Sequence, residues 1–265
     1  MKKLARGALL LLFTIVGYPP LFVVMVVPGP WRRARQRTRN WLFRTWSRCC
    51  LRVMGCRLSV EGEVPRAPFF LVANHLSYID VLVLAAVVDV FFIAKSEISG
   101  WPGLGLLSRT VGTIFINREL RRDVKRVNRL VERTLDEGYG VVLFPEGAST
   151  QGYEVIPFKS SLLHYPAQER LPVLAASLSY RATSGDLPAN LSVCWWGDAS
   201  FLAHFWQFLG IPGFEATVRF VSEPVVDPDR KALAASLRRL VTDAFDPVVS
   251  FEERATETGL RASGE

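Results

Sequence analysis

In the stretch Asn74-His75-Leu76-Ser77-Tyr78-Ile79-Asp80, a histidine and an aspartate stand five positions apart. An imidazole with a carboxylate on one nitrogen is a general base with its tautomer fixed, the part of a catalytic triad that remains when the serine is left out. Such a base can take a proton from an attacking alcohol. The same spacing also suits a helix cap at Asp80 and an ordinary polar residue at His75, so the residues that position the pair matter. Phe69 to Ala73 is a short apolar run of buried-strand type. Val81 to Ala86 reads as the body of a helix, and Ser77 with Asp80 fits the S-x-x-D capping pattern. A helix is therefore expected from about Tyr78. His75 falls in the loop at the strand's C-terminal end, where open α/β sheets place their ligands.

Further along, Val90 to Ala94, Val111 to Ile116, Val141 to Phe144, Val173 to Leu178, Leu191 to Trp195 and Ala216 to Val221 read as strands. Val124, Val127, Leu130, Val131 and Leu135 make a helical stripe closed by Gly138, and Ala232 to Phe245 reads as a last helix. This alternation predicts an α/β domain around a mostly parallel sheet flanked by helices, over residues 57–250. The polar tail, 251–265, is expected to fray.

The first 56 residues are of another kind. No Asp or Glu precedes Glu61, and residues 1–60 hold 12 Lys and Arg, so a net charge of +7 leaves −5 for the remainder. Leu9 to Val27 is uncharged and mostly apolar, with Arg-rich and Lys-rich flanks on both sides (Lys2, Lys3 and Arg6; Arg32, Arg33, Arg35, Arg37 and Arg39). Basic charge beside an apolar run points to an anionic phospholipid membrane rather than to nucleic acid. Pro19-Pro20 interrupts the run, so a re-entrant hairpin with both flanks in the cytoplasm is expected, with a single span as the alternative. No A-x-A-like site follows it, so a cleaved signal peptide is not expected. Trp41, Leu42, Trp46, Cys49, Cys50 and Val53 lie on one side of a helix and Arg44, Arg48 and Arg52 on another, as in an interfacial helix with arginines at lipid phosphates.

Several chemistries lack their motifs. Cys49, Cys50, Cys56 and Cys194 form no C-x-x-C, and no His/Cys cluster has zinc spacing, so no metal is expected and the thiols should be reduced. There is no G-x-S-x-G, and Gly103-Leu104-Gly105 lacks the third glycine of a dinucleotide fingerprint. His164 and His204 are expected to be packing or surface residues.

Three further segments follow the first in order: Gly112-Thr113-Ile114-Phe115-Ile116-Asn117-Arg118, Phe144-Pro145-Glu146-Gly147, and Leu171-Pro172-Val173-Leu174-Ala175-Ala176-Ser177. Together with Asn74 to Asp80 they resemble the four blocks of the glycerolipid acyltransferase family, over roughly residues 57–225. The resemblance implies an enzyme that moves a fatty acyl chain to a lysolipid hydroxyl, 1-acylglycerol-3-phosphate first. It needs no cofactor beyond a co-substrate thioester, acyl-CoA or acyl carrier protein. It implies His75 as base and Asp80 as its orienter, with Asn74, Lys95, Arg118, Glu146, Gly147 and Lys159 in acceptor binding. It also implies residence at the membrane, on the cytoplasmic face of a bacterial inner membrane. Two departures stand out. Where the family often continues with Thr-Arg-Ser, this chain has Ala148-Ser149-Thr150, so the arginine and its phosphate contact are missing. Pro157-Phe158-Lys159-Ser160-Ser161 has serine where glycine or alanine is common. In this the chain is similar to acyltransferases for other lysolipids, such as those making ornithine lipids. A hydrolase using the same two residues and a non-catalytic membrane-binding relative remain as other classes.

Overall fold

The computed structural model describes residues 1–26, 32–117, 121–183 and 187–249. Two long helices lead the chain, α1 (Lys2–Val26) and α2 (Arg32–Val53). The domain then alternates: β1 (Cys56–Glu61), β2 (Phe69–Ala73), α3 (Ile79–Val87), β3 (Val90–Lys95), α4 (Leu104–Thr110), β4 (Ile114–Ile116), α5 (Arg121–Asp136), β5 (Gly140–Leu143), α6 (His164–Gln168), β6 (Val173–Ala182), α7 (Ala189–Ser192), α8 (Phe201–Phe208), β7 (Phe214–Val225) and α9 (Arg230–Asp243).

Seven strands form one sheet in the order β1-β7-β6-β2-β5-β3-β4. Every pairing is parallel except β6 with β7, so the sheet is mostly parallel as the alternation predicts. Every residue of β2 and β5 is buried, which explains why both read as unbroken apolar runs: strands covered on both faces have no polar side to show. The crossover from β2 through α3 to β3 runs outward over β5, and the one from β4 through α5 to β5 runs back. Right-handed crossovers then put α3 and α5 on opposite faces. α2 packs on α1 and α3, while α9 packs on β6 and β7.

Four expectations are corrected. Leu191 to Trp195 is not a strand: Pro188 starts a single helical turn, α7, in which the Ser192 hydroxyl and N–H both donate to the Pro188 carbonyl. The strand expected from Val111 begins only at Ile114, because Val111-Gly112 is a turn with Gly112 at φ +79°. The left-handed region is open to glycine, and a Cβ there would also meet the Arg39 guanidinium and the Phe91 ring. Pro19-Pro20 does not break the apolar run; α1 passes through both prolines as one 25-residue helix. The prolines remove two backbone donors, and the turns on either side keep the helix.

Two of the three arginines expected at lipid phosphates, Arg44 and Arg48, are engaged by the domain, and Arg52 is exposed. Arg44 pairs with Asp89 at 2.8 Å and Arg48 Nε donates to the Ala86 carbonyl at 2.8 Å, both at the end of α3. Arg39 is wholly buried over the Phe91 ring, 3.6 Å from its centroid, and donates to the Val111 carbonyl at 2.5 Å and to the Asn40 side chain. Burial pulls its pKa down to about 9. Charge on the sequence therefore overstated what α2 presents to its surroundings.

Candidate active site

The loops at the C-terminal ends of β2 and β5 meet over neighbouring strands, in a register that pairs Val72 with Leu143. His75 leaves β2 and stacks on Phe144, which leaves β5, with ring centroids 4.3 Å apart and planes 16° apart. His75 Nδ1 lies 2.6 Å from Asp80 Oδ2. The imidazole is thus held by a ring on one face and a carboxylate at one nitrogen, and Nε2 is left for chemistry. Its side chain keeps 22% of its surface exposed, whereas that of Asp80 keeps none.

Four donors converge on that buried carboxylate. Oδ2 accepts from His75 and from the backbone N–H groups of Leu76 (2.7 Å) and Ser77 (3.1 Å); Oδ1 accepts from the Tyr180 hydroxyl (2.6 Å). The capping box is half formed. The acid reaches back to the preceding N–H groups, but α3 begins at Ile79, and the buried Ser77 hydroxyl pairs with nothing among the described residues. Tyr180 was invisible to the sequence argument. It lies 100 residues from Asp80 and reaches it because β6 is ten residues long against five for β2, so its end overhangs the helix start. Burial and the neighbouring Asp80 carboxylate push the tyrosine well above its ordinary value, so it stays a donor.

Two residues expected at the acceptor are tied into the frame. Asn74 is buried; its Nδ2 donates to the Leu178 carbonyl (2.9 Å) and its Oδ1 accepts the Leu178 N–H (2.7 Å). Glu146 is buried too. It accepts from His75 N (2.9 Å) and Ile156 N (3.1 Å), clamping the loops after β2 and β5 together. Burial pushes its pKa up to about 8, against the pull of those two N–H donors. Both were expected to touch acceptor; here both side chains are buried and hydrogen-bonded to backbone groups of the frame. Gly147, at φ +80°, turns the chain out of that clamp.

The remaining cations lie on the rim. Lys95 ends β3, two strands from β2 and hence about 10 Å across the sheet, and pairs with Glu97 at 2.8 Å with both side chains more than half exposed. Lys159 is exposed, and its backbone N–H donates to the Pro145 carbonyl (2.8 Å), which brings it beside the Glu146 loop. Arg118 lies outside the described residues; the strand before it, β4, is three places from β2. At the divergent segment, the Ser149 hydroxyl donates to the Trp195 carbonyl, Trp195 N donates to Leu76 O (2.9 Å), and Thr150 N donates to His75 O (2.9 Å). Among the described residues no group of three or more His, Cys, Asp or Glu is placed to hold a metal, and the four cysteines are unpaired. A groove of about 840 Å³ between α5 and α6 is lined by Lys125, Arg129, His164 and Arg230 and by neither member of the dyad.

A mostly parallel sheet with a carboxylate-oriented histidine at the C-terminal ends of its strands suits general-base transfer of an acyl group to a hydroxyl. Comparison with known proteins agrees. A family model described as acyltransferase matches residues 57–179. A lyso-ornithine lipid O-acyltransferase from Rhizobium meliloti is 34% identical over 81% of this chain and 76% of its own length. A 1-acyl-sn-glycerol-3-phosphate acyltransferase from Neisseria gonorrhoeae is 32% identical over 80% of this chain and 86% of its own. The crystal structure of the 1-acyl-sn-glycerophosphate acyltransferase PlsC from Thermotoga maritima shares the fold, with a TM-score of 0.62 at 22% identity over 92% of this chain and 97% of that one. The chain belongs to the glycerolipid acyltransferase family, and it is an acyltransferase of lipid biosynthesis.

Proposed function

We propose that the protein acylates the free hydroxyl of a lysolipid, taking the acyl group from a thioester of coenzyme A or acyl carrier protein, with His75 as general base. The observation that carries this reading is the 2.6 Å contact between His75 Nδ1 and the fully buried Asp80. With Nδ1–H donated to Asp80, Nε2 takes the hydroxyl proton as the alkoxide oxygen attacks the thioester carbonyl. The C–O bond forms, the C–S bond breaks, and the imidazolium returns its proton to the thiolate. A thiol pKa near 8.5 makes that sulfur a good leaving group, so no covalent enzyme intermediate is needed. His75→Ala should lower transfer of a labelled acyl chain by about 10²–10⁴-fold with an unchanged unfolding transition. Near-normal turnover would end this mechanism, and labelled free fatty acid as the main wild-type product would indicate a hydrolase.

Two acceptors are in view. The family blocks, with Arg118 among them, and the rim cations Lys95 and Lys159 favour lysophosphatidic acid. Ser149 favours the second, lyso-ornithine lipid: where an arginine would meet a phosphate, its hydroxyl is bound to the protein's own Trp195 carbonyl. Kinetics with both acceptors in parallel decide, since a tenfold preference in kcat/KM is about 1.4 kcal/mol of discrimination.

The membrane reading rests on α1. Within Lys2–Val24 an 18-residue window has a mean hydropathy of 2.1, and Leu11, Ile15 and Val16 are exposed. At 25 residues the helix is about 37 Å long. It is pinned along the domain: Arg6 donates to the Ile211 carbonyl (2.6 Å), Trp46 Nε1 to Thr14 (3.3 Å), and the Tyr18 and Thr110 hydroxyls are 3.1 Å apart. A helix held at its start and middle cannot stand away from the domain across a bilayer. We read α1 as lying in one leaflet with the domain at its side.

A further inference from the structure

The outer face of α8 is built for something other than water. Its inner face is aromatic: Phe201, His204, Phe205 and Phe208 surround the Tyr78 ring at centroid distances of 5.0 to 6.4 Å, and the Tyr78 hydroxyl meets His204 Nδ1 at 3.1 Å. A helix so well anchored would ordinarily turn polar residues outward. Instead Leu202 and Trp206, one turn apart on the outer face, are 74% and 49% exposed, and none of the helix's eight residues is Lys, Arg, Asp or Glu. Two more large apolar side chains, Trp101 and Leu106, are exposed close by, with the Trp101 ring 6.1 Å from that of Phe201.

This patch adjoins α1. Lys3 Nζ stands 5.8 Å from the Trp206 ring centroid, and Arg6 donates to the Ile211 carbonyl (2.6 Å) just beyond the end of α8. Apolar surface with a tryptophan at its border, lysines at its rim and no acid among the first 60 residues is complementary to an anionic lipid surface. We propose that α8 and the Trp101–Leu106 segment form a second membrane-contacting surface, continuous with that of α1 and seated on the same leaflet. The proposal rests on the reading of α1 given above. It also links lipid contact to the dyad loop, because α8 holds Tyr78, and the loop before α8 reaches Leu76 through the Trp195 N–H at 2.9 Å.

Partition of full-length protein onto vesicles of phosphatidylethanolamine and phosphatidylglycerol tests this. Leu202→Glu with Trp206→Glu should weaken partition by about tenfold or more, with the unfolding transition kept because both positions are exposed. Leu11→Glu with Ile15→Glu, on the exposed face of α1, is the control. If only the α1 pair weakens partition, the α8 proposal is overturned and the α1 reading stands; if neither pair does, both fall. Trp206→Phe gives a second readout that leaves the fold alone. Brominated acyl chains should quench the wild-type fluorescence more than that of Trp206→Phe, and equal quenching would overturn the proposal. So would a concentration-dependent dimer lost in the Leu202/Trp206 variant with vesicle affinity unchanged, since the patch would then be an interface between copies.

Discussion

The two sides of the cleft are built to different standards. On the side of β2, one carboxylate takes four hydrogen bonds, one ring stacks on the base, and a second carboxylate joins two loops by their backbones. On the side of β3, Lys95 meets Glu97 as an exposed pair of the sort that contributes little to stability; Lys159, beside the Glu146 loop, is exposed as well. The base must have its position and tautomer fixed before substrate arrives. A headgroup only needs charge within reach. If the proposed roles hold, the contrast teaches where change is tolerated: acceptor choice can drift along the rim while the His75–Asp80 pair stays locked.

The largest break in that contrast should come from Asp80→Asn. The amide keeps the shape, but the imidazole loses its charge partner and its tautomer, and kcat should fall by about 10³–10⁴-fold in single-turnover transfer assays. The side-chain NH₂ would also confront backbone N–H groups, so a lower unfolding midpoint should accompany the loss.

Tyr180→Phe is a finer cut. It removes one donor to Asp80 and touches no substrate, so kcat should fall by about tenfold, or about 1.4 kcal/mol, with acceptor KM unchanged. The pH profile of kcat should move as well, because the Asp80 that faces His75 has lost a donor. An unmoved profile would reduce Tyr180 to packing.

Glu146→Gln tests the loop clamp by stability. The new NH₂ cannot accept a hydrogen bond, so one buried N–H loses its partner at a cost of about 1–3 kcal/mol. The wild type carries a pH signature. Folding raises the Glu146 pKa from 4.5 to about 8. The folded state then holds a proton that the unfolded state has released, and stability falls as pH rises between those values. Thermal unfolding from pH 5 to 8 should show that slope in the wild type and a flatter one in Glu146→Gln. Lys95→Ala should have the smallest effect, a rise in acceptor KM of about fivefold or less with kcat kept, the pattern of a uniform binding contact.

What the sequence could show follows from locality. His75 and Asp80 were legible because a loop and one helical turn bring them together, and β2 and β5 because doubly covered strands are apolar throughout. Tyr180 was not, since only the unequal lengths of β6 and β2 bring it to Asp80. A tyrosine in an otherwise apolar and small-residue strand was the available signal: a buried hydroxyl needs a partner. The backbone tasks of Asn74 and Glu146 were not legible, because a motif marks a position without saying which backbone groups its polar atoms hold. The same holds for basic residues of α2, with Arg39, Arg44 and Arg48 all engaged by the domain.

The Asn74 side chain has one more implication. Its amide offers Leu178 both a donor and an acceptor, which two successive peptide groups of β2 would otherwise have supplied. The ladder between β2 and β6 therefore runs one rung further than the backbone of β2 does, and the main chain is released from the sheet at the residue where the base must turn upward. Aspartate would fit the space without the donor, and glutamine would overshoot by a methylene. A side chain here completes the weave so that the thread itself can leave it.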